Sequence, residues 1–475
     1  MWAVAAQVLN RDRVSPGNIV DRDSDGRRQT PPLGRTGRVV AAYNGFNQFR
    51  IQSRGFDELV NAHSSLFQVA CEIFHCEGNH SLTGPQVGRI ILCTGGSMHR
   101  LLCALMLCVV EVSTVPPAAL AQEALPRDVD PDSRSRLPVA PAAGSPAAQG
   151  VAAIRLHGSG ATVRWESSLG RALTELAILT SAREHDQPYE WSLHEMEAIA
   201  VGLDPAVIDT VRHRKPLTGI GEKESAVIQA GREIFGTHKL SLETYARALK
   251  VLGRSNLVDI VDLMANYAAT ATRLSAFNQQ MPPGWKQFLP LPFTPSDDIY
   301  PDSRSRLPLI RSQAQNPATA PGLYTRNLAP EGTGPAHIRR HQGSRQSLES
   351  SVGRRLMELA VLMTAREHDA QYDWTMHELA ALKDGLEPAI IDLVRHRKPP
   401  TGLTDKDAIL IEFGRELFRK HNVSPQTYAR ALKIFGERDL VDLIDLMAQH
   451  AGDTALLAAF DQHVPAGQKP LLPIP

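Results

Sequence analysis

An all-α fold of two tandem helical-bundle units is what this 475-residue sequence predicts. Three observations carry that prediction. The stretch Ala182-Arg183-Glu184-His185-Asp186-Gln187-Pro188-Tyr189-Glu190-Trp191-Ser192-Leu193-His194-Glu195 returns as Ala365-Arg366-Glu367-His368-Asp369-Ala370-Gln371-Tyr372-Asp373-Trp374-Thr375-Met376-His377-Glu378. The 183-residue spacing holds from Glu175/Glu358 through Tyr245/Tyr428 to Phe277/Phe460, and an unbroken register over that length means one folded unit used twice. Apolar residues recur at i, i+3 and i+4 within each copy, the period of a helix with one buried face. Aromatics make up only 5% of the chain, which favours helices over sheets.

Residues 1–97 carry no core-forming pattern beyond a short apolar stretch from Leu66 to Phe74. Met98, His99 and Arg100 then lead into an apolar run, Leu101 to Val110, and Ala119-Leu120-Ala121 precedes Gln122. A basic start, a short apolar run and an A-x-A site have the form of a secretory signal peptide, with a run too short to span a bilayer. This reading gives a signal peptide at 98–121 and a periplasmic or secreted product. Residues 1–97 are then a disordered arm or upstream sequence read as protein. The alternative is a cytoplasmic protein in which the apolar run is a buried helix.

The two units occupy 127–295 and 297–475. Each opens on an arm, Pro131-Asp132-Ser133-Arg134-Ser135-Arg136-Leu137-Pro138 and its copy Pro301 to Pro308, whose prolines make it extended. Val139 to Ser159 and Asn316 to Gly343 follow as irregular segments of the kind that form lids or wrapping arms. Helix begins near Glu166, with Leu169, Leu173, Leu176, Ala177 and Leu179 as its apolar stripe. Pro188 ends it or opens the next helix, which runs from Trp191 to Val201 and stops at Gly202. Asp204-Pro205 supplies a cap and a first-turn proline for Ala206 to His213. Further helices are expected over Lys223–Phe235, Thr244–Leu252 after Ser241, and Asn256–Tyr267. The second copy repeats every signal, so each unit holds about six helices. Proline-rich tails, Pro282 to Pro295 and Pro465 to Pro475, are expected to lie over a neighbour or the other unit.

Lys+Arg and Asp+Glu are equal at 51 each, so net charge argues for neither nucleic acid nor an anionic membrane. All five cysteines lie at or before Cys108, leaving both units without disulfides, thiolate ligands or thiol redox chemistry. No glycine-rich phosphate loop or G-x-S-x-G is present.

The polar residues of the repeated stretch are the candidate site. Glu190 and His194 are four apart and share a helix face, as do Asp373 and His377. A carboxylate set against an imidazole is an acid/base pair; the competing reading is a solvated helix-stabilising pair. Glu175 and Glu358 stand within the apolar stripe, either as acids of raised pKa or as ion-pair partners of Arg183 and Arg366. Tyr189, Trp191, Tyr372 and Trp374 are candidate substrate contacts. Arg212 and Arg395 could hold a carboxylate, although such basic runs usually end a helix in solvent. His185 and His368 sit where a cation complements a helix end. A metal set of Glu190, His194 and His185 fits none of the strong metal spacings, so no metal and no cofactor are expected.

Glu175-Leu176-Ala177-Ile178-Leu179, Ala182-Arg183, Tyr189-Glu190-Trp191-x-x-His194-Glu195 and Gly202-Leu203 together resemble the carboxymuconolactone decarboxylase family, whose relatives include alkylhydroperoxidase D. The second copy matches with Glu358 to Leu362, Ala365-Arg366, Tyr372-Asp373-Trp374-x-x-His377-Glu378 and Gly385-Leu386. The resemblance implies an all-α bundle, assembly into a homo-oligomer such as a trimer of two-unit chains, and cofactor-free loss of CO2 from a carboxylated lactone. It implies that His194 and His377 protonate the developing charge, Glu190 and Asp373 orient them, and Glu175 and Glu358 assist. The partner is then a small carboxylated molecule, with no nucleic acid and no membrane after signal removal. Where the peroxidase branch carries Cys-x-x-Cys, this chain has Gln187 and Glu190, then Ala370 and Asp373, so thiol peroxidase chemistry has no nucleophile. The alternative is a non-catalytic, ligand-binding scaffold.

Overall fold

The computed structural model describes residues 125–139, 149–291, 297–310 and 333–474. The expected leader at 98–121 and the segment before it lie outside the described residues. Those described are all-α, with two isolated bridges, Asp130 to Ser135 and Tyr300 to Ser305, bending each arm back on itself. None of the described helices is long and apolar enough to cross a membrane.

Two short helices, α1 (Gly150–Arg155) and α2 (Val163–Glu166), lead into α3 (Arg171–Glu184). Then come α4 (Pro188–Ala200), α5 (Pro205–Arg212), α6 (Glu222–Gly236), α7 (Leu242–Leu252) and α8 (Arg254–Ala276). The second series has α9 (Gly334–Arg340), α10 (Arg345–Ser351), α11 (Arg354–Glu367), α12 (Gln371–Lys383), α13 (Pro388–Arg395), α14 (Asp405–Lys420), α15 (Pro425–Phe435) and α16 (Glu437–Ala459). Each of α11 to α16 starts 183 residues after its counterpart among α3 to α8.

Local chemistry accounts for these bounds. Asp204 accepts from the Ala206 N–H at 2.8 Å and Ser241 from the Thr244 N–H at 3.2 Å, each satisfying an amide at a helix start. α4 starts three residues before the expected Trp191 because Gln187 caps the Tyr189 N–H at 3.0 Å and Pro188 fits the first turn. α8 runs on past Tyr267 to Ala276, since Ala268, Ala269 and Ala271 keep its face narrow enough to pack on α16. The approach is close: a Cβ on Gly452 of α16 would stand 2.7 Å from the Ala265 carbonyl oxygen. Central α3 is buried over ten consecutive residues, Leu173 to Ala182, and contacts α4, α6 and α8.

Segments read as loop prove partly helical, because each carries an apolar anchor. Ile154 of α1 and Ile338 of α9 are both buried. The arms do wrap. The Arg136 N–H donates to the Phe460 carbonyl at 2.8 Å, and the Arg306 N–H to the Phe277 carbonyl at 2.9 Å. Each arm therefore ties onto the end of the long helix of the other copy. The tails reach their own copy's helices, and Trp285 of the first also packs against a cluster that includes Ile338 and Phe413 of the second copy. The Phe288 N–H donates to Ser192 Oγ of α4, and the Leu471 N–H to Thr375 Oγ1 of α12, both at 3.1 Å.

Candidate functional site

A cleft of about 570 Å³ opens between α4, α8, α9 and α16. Tyr189, Glu190 and His194 come from α4, Tyr267 and Arg273 from α8, Arg339 from α9, and Asp445 from α16. α9 can seat there because Gly334 adopts φ +71° and has no Cβ; one would stand 2.6 Å from the Tyr189 hydroxyl. That hydroxyl hydrogen-bonds Thr333 Oγ1 at 2.9 Å, and burial pushes its pKa up to about 12. One wall of the first copy's site is thus supplied by a helix of the second.

His194 is the centre of the cleft, and its partner corrects the expected pairing. Its Nδ1 lies 2.7 Å from Glu175 Oε2 on α3. An ionised carboxylate only accepts, so Nδ1 carries the proton and Nε2 is left on the cleft side. Glu175 is fully buried, and burial alone would raise its pKa. His194, Arg164 and Arg171 outweigh that and hold it at about 2. Arg164 Nε approaches it at 3.1 Å and Arg171 at 2.8 Å. Arg183, the expected partner, instead pairs with Asp186 and donates to the Arg212 carbonyl. Tyr267 meets the His194 ring edge-on, with centroids 4.9 Å apart, and its hydroxyl pKa is raised by burial.

Glu190 does not orient His194. It is 2% exposed, and both carboxyl oxygens are shielded from solvent with no hydrogen-bond partner. Burial drives its pKa well above the usual carboxylate range, with Arg164 offsetting only part of the effect. The side chain therefore keeps its proton where an exposed glutamate would have lost it.

In the second copy Glu358 Oε2 holds His377 Nδ1 at 2.8 Å, again moving the orienting role from the α12 acid to the α11 acid. Asp373 turns to His450, whose Nδ1 is 3.1 Å away, and its other oxygen lies 3.7 Å from His377 Nε2. His450 stands where the first copy has Tyr267. Neither residue was singled out from the sequence, although a polar exchange on the long helix at one repeat position was the signal available.

Four other candidates are tied into the fold, the two tryptophans within its core and the two arginines at its edge. Trp191 and Trp374 have no exposed surface, and each indole N–H donates at 2.6 Å to a glutamate one turn on, Glu195 or Glu378. Arg212 and Arg395 are bound to those same glutamates, so both cations are committed inside the fold. Tyr372 is the counterpart of Tyr189 and packs against Gly150 of α1.

His185 and His368 are not cations at helix ends. Each donates Nδ1–H to the carbonyl four residues back, at 2.8 Å, and burial with neighbouring histidines lowers each pKa to about 3. With His238 and His421 they line a small cavity of about 80 Å³, separate from the cleft of His194. The proposed joint metal set of Glu190, His194 and His185 is therefore not assembled. Compared with family models, curated proteins and solved structures, the chain matches none.

Proposed function

We propose that the first copy's cleft performs cofactor-free acid/base decarboxylation of a small carboxylated lactone, as the resemblance to carboxymuconolactone decarboxylases implies. The observation that carries the reading is the buried Glu175–His194 pair. Glu175 fixes the ring and compensates its charge, so a protonated His194 presents Nε2–H to the cleft. Arg164, Arg273 and Arg339 line the cleft, and each of the first two already holds an acid, Arg164 with Glu175 and Glu197 and Arg273 with Asp445 at 2.6 Å, so a substrate carboxylate would share these cations with them. Because Glu190 is held as a neutral acid, it does not repel an incoming carboxylate.

In the proposed reaction the C–C bond to the carboxylate breaks and CO2 leaves. The electron pair passes through the ring double bond onto the lactone carbonyl as a dienolate. His194 Nε2–H then delivers a proton to the carbon alpha to that carbonyl, and solvent restores the imidazolium. The test is CO2 release from γ-carboxymuconolactone by the full chain, beside His194→Ala and Glu175→Gln. Loss of the acid should lower the rate by about 10²–10⁴-fold, and loss of the orienting carboxylate by less. Binding of the lactone without CO2 release would leave a ligand-binding scaffold in place of an enzyme.

A further inference from the structure

The second copy differs from the first in the residues around its histidine. Asp373, His377 and His450 bring one ligand atom each to within 4.8 Å of one another. The two imidazole rings are perpendicular, 89° apart, with centroids at 4.9 Å. Asp373 is buried between them, one carboxylate oxygen 3.1 Å from His450 Nδ1 and the other 3.7 Å from His377 Nε2. From this geometry we propose that Asp373, His377 and His450 form a binding site for a divalent transition-metal ion such as zinc, iron(II) or cobalt(II).

Two imidazoles and one carboxylate are the donor set such ions take, with the remaining positions left for water or an anionic ligand. Ligand atoms about 2.0–2.2 Å from a common ion sit roughly 3–3.5 Å apart. The Asp373–His450 separation of 3.1 Å already meets that; His377 Nε2 lies 3.7 Å from the other carboxylate oxygen, and the set, now within 4.8 Å, draws together around the ion. The outer support is also in place. Glu358 Oε2 takes the Nδ1–H of His377 at 2.8 Å, which fixes the tautomer, raises the basicity of Nε2 and aims it at the ion. Access remains, because the His377 side chain is one-quarter exposed.

Shared ancestry of the two copies does not explain the set. The first copy has Tyr267 where His450 stands and the longer Glu190 where Asp373 stands. Its acid makes no hydrogen bond to His194, and its third position offers a phenol of raised pKa in place of an imidazole. The metal set is therefore a property of the second copy alone, and it departs from the expectation that the chain needs no metal. It stands independently of the reaction proposed for the first copy.

The test is titration of the metal-stripped full chain with cobalt(II) alone, followed by its visible absorption and by calorimetry. One equivalent should bind with ligand-field bands of a nitrogen- and oxygen-ligated ion. His450→Tyr, which restores the first copy's residue, and Asp373→Asn should each weaken binding by more than tenfold, and Glu358→Gln by about 10–100-fold. His194→Ala should leave stoichiometry and spectrum unchanged. Zinc should raise the unfolding midpoint of the parent but not of Asp373→Asn, and that pair of midpoints also shows whether the variant is folded. Absence of stoichiometric binding would overturn the proposal, as would a folded Asp373→Asn protein that binds as tightly as the parent, or loss of the ion in His194→Ala.

Discussion

Replacing Glu190 with glutamine isolates the energetic consequence of burying an unpartnered acid beside His194. In the unfolded chain this carboxyl ionises near pH 4.3. In the fold it is 2% exposed, without a partner, and its pKa is driven well above that value by burial. The folded state therefore holds a proton that the unfolded state releases. Stability from this group is complete below the unfolded pKa and is lost as pH rises toward the folded one. The slope is about 1.4 kcal/mol for each pH unit over which the folded acid stays protonated. Solvent screening needs no discount, because the oxygens are shielded. Glutamine has nearly the same shape as the neutral acid and does not titrate. At pH 5 the variant should therefore match the parent to within about 1 kcal/mol, and above pH 5 it should gain on it by at most about 1.4 kcal/mol per pH unit for as long as the folded acid stays protonated. Urea unfolding followed by tryptophan fluorescence at pH 5, 6 and 7 reads this as a growing difference between the two proteins. A difference that stays flat with pH would refute the reasoning, since it would mean that Glu190 ionises in the fold as easily as in water.

Other consequences test separate parts of the structure. His185 and His368, with pKa values lowered to about 3, are neutral in the fold, so their stabilising effect is present above pH 6.5 and lost as pH falls toward 3. Each should cost about 2 kcal/mol by pH 5 if fully dry, or roughly 1 kcal/mol once the partial exposure of the ring is discounted. A His185→Gln/His368→Gln protein should then lose less stability between pH 7 and pH 5 than the parent, and an identical loss would contradict the assignment. Gly452→Ala places a methyl group against the Ala265 carbonyl and should cost about 1–3 kcal/mol, read as a lower urea midpoint; an unchanged midpoint would mean the two long helices are looser than drawn. Trp191→Phe removes the N–H that Glu195 accepts and should lower stability by about 1–2 kcal/mol. It should leave the KM for a carboxylated substrate unchanged, whereas a raised KM would return Trp191 to the binding surface.

Much of the frame was legible because the repeat declared it. Period, caps and the 183-residue spacing identify the six major helices of each copy, and α3 to α8 with α11 to α16 follow them closely. The partners of the polar groups were not legible, since they depend on packing between segments distant in the chain. Glu175 was read as an acid of raised pKa or as a partner of Arg183, eight residues on, yet its cations include Arg164 of α2, a four-residue helix just ahead of the expected helix start. The i, i+4 pairing of Glu190 with His194 followed the helix surface. In the fold that face turns inward, where Glu175 competes successfully for the imidazole. Trp191 and Trp374 looked like ligand contacts because aromatic and polar residues stood together; their N–H groups serve Glu195 and Glu378 instead. Arg212 and Arg395, read as substrate clamps or solvated ends, are the cations of those same glutamates. The seating of α9 against Tyr189 and of α1 against Tyr372, each a helix of the other copy, could not be read from either copy alone. It shows only when Gly334 is seen against Tyr189 and Gly150 against Tyr372.

The proposed reaction depends most heavily on His194 as the proton donor, and the most direct measurement is decarboxylation of γ-carboxymuconolactone in D2O with the product analysed by NMR. Proton delivery from a fixed imidazole predicts one deuteron, on one face of the carbon alpha to the lactone carbonyl, formed by the parent and by His377→Ala but not by His194→Ala. Deuterium on both faces, or CO2 release by His194→Ala at the parent's rate, would contradict it.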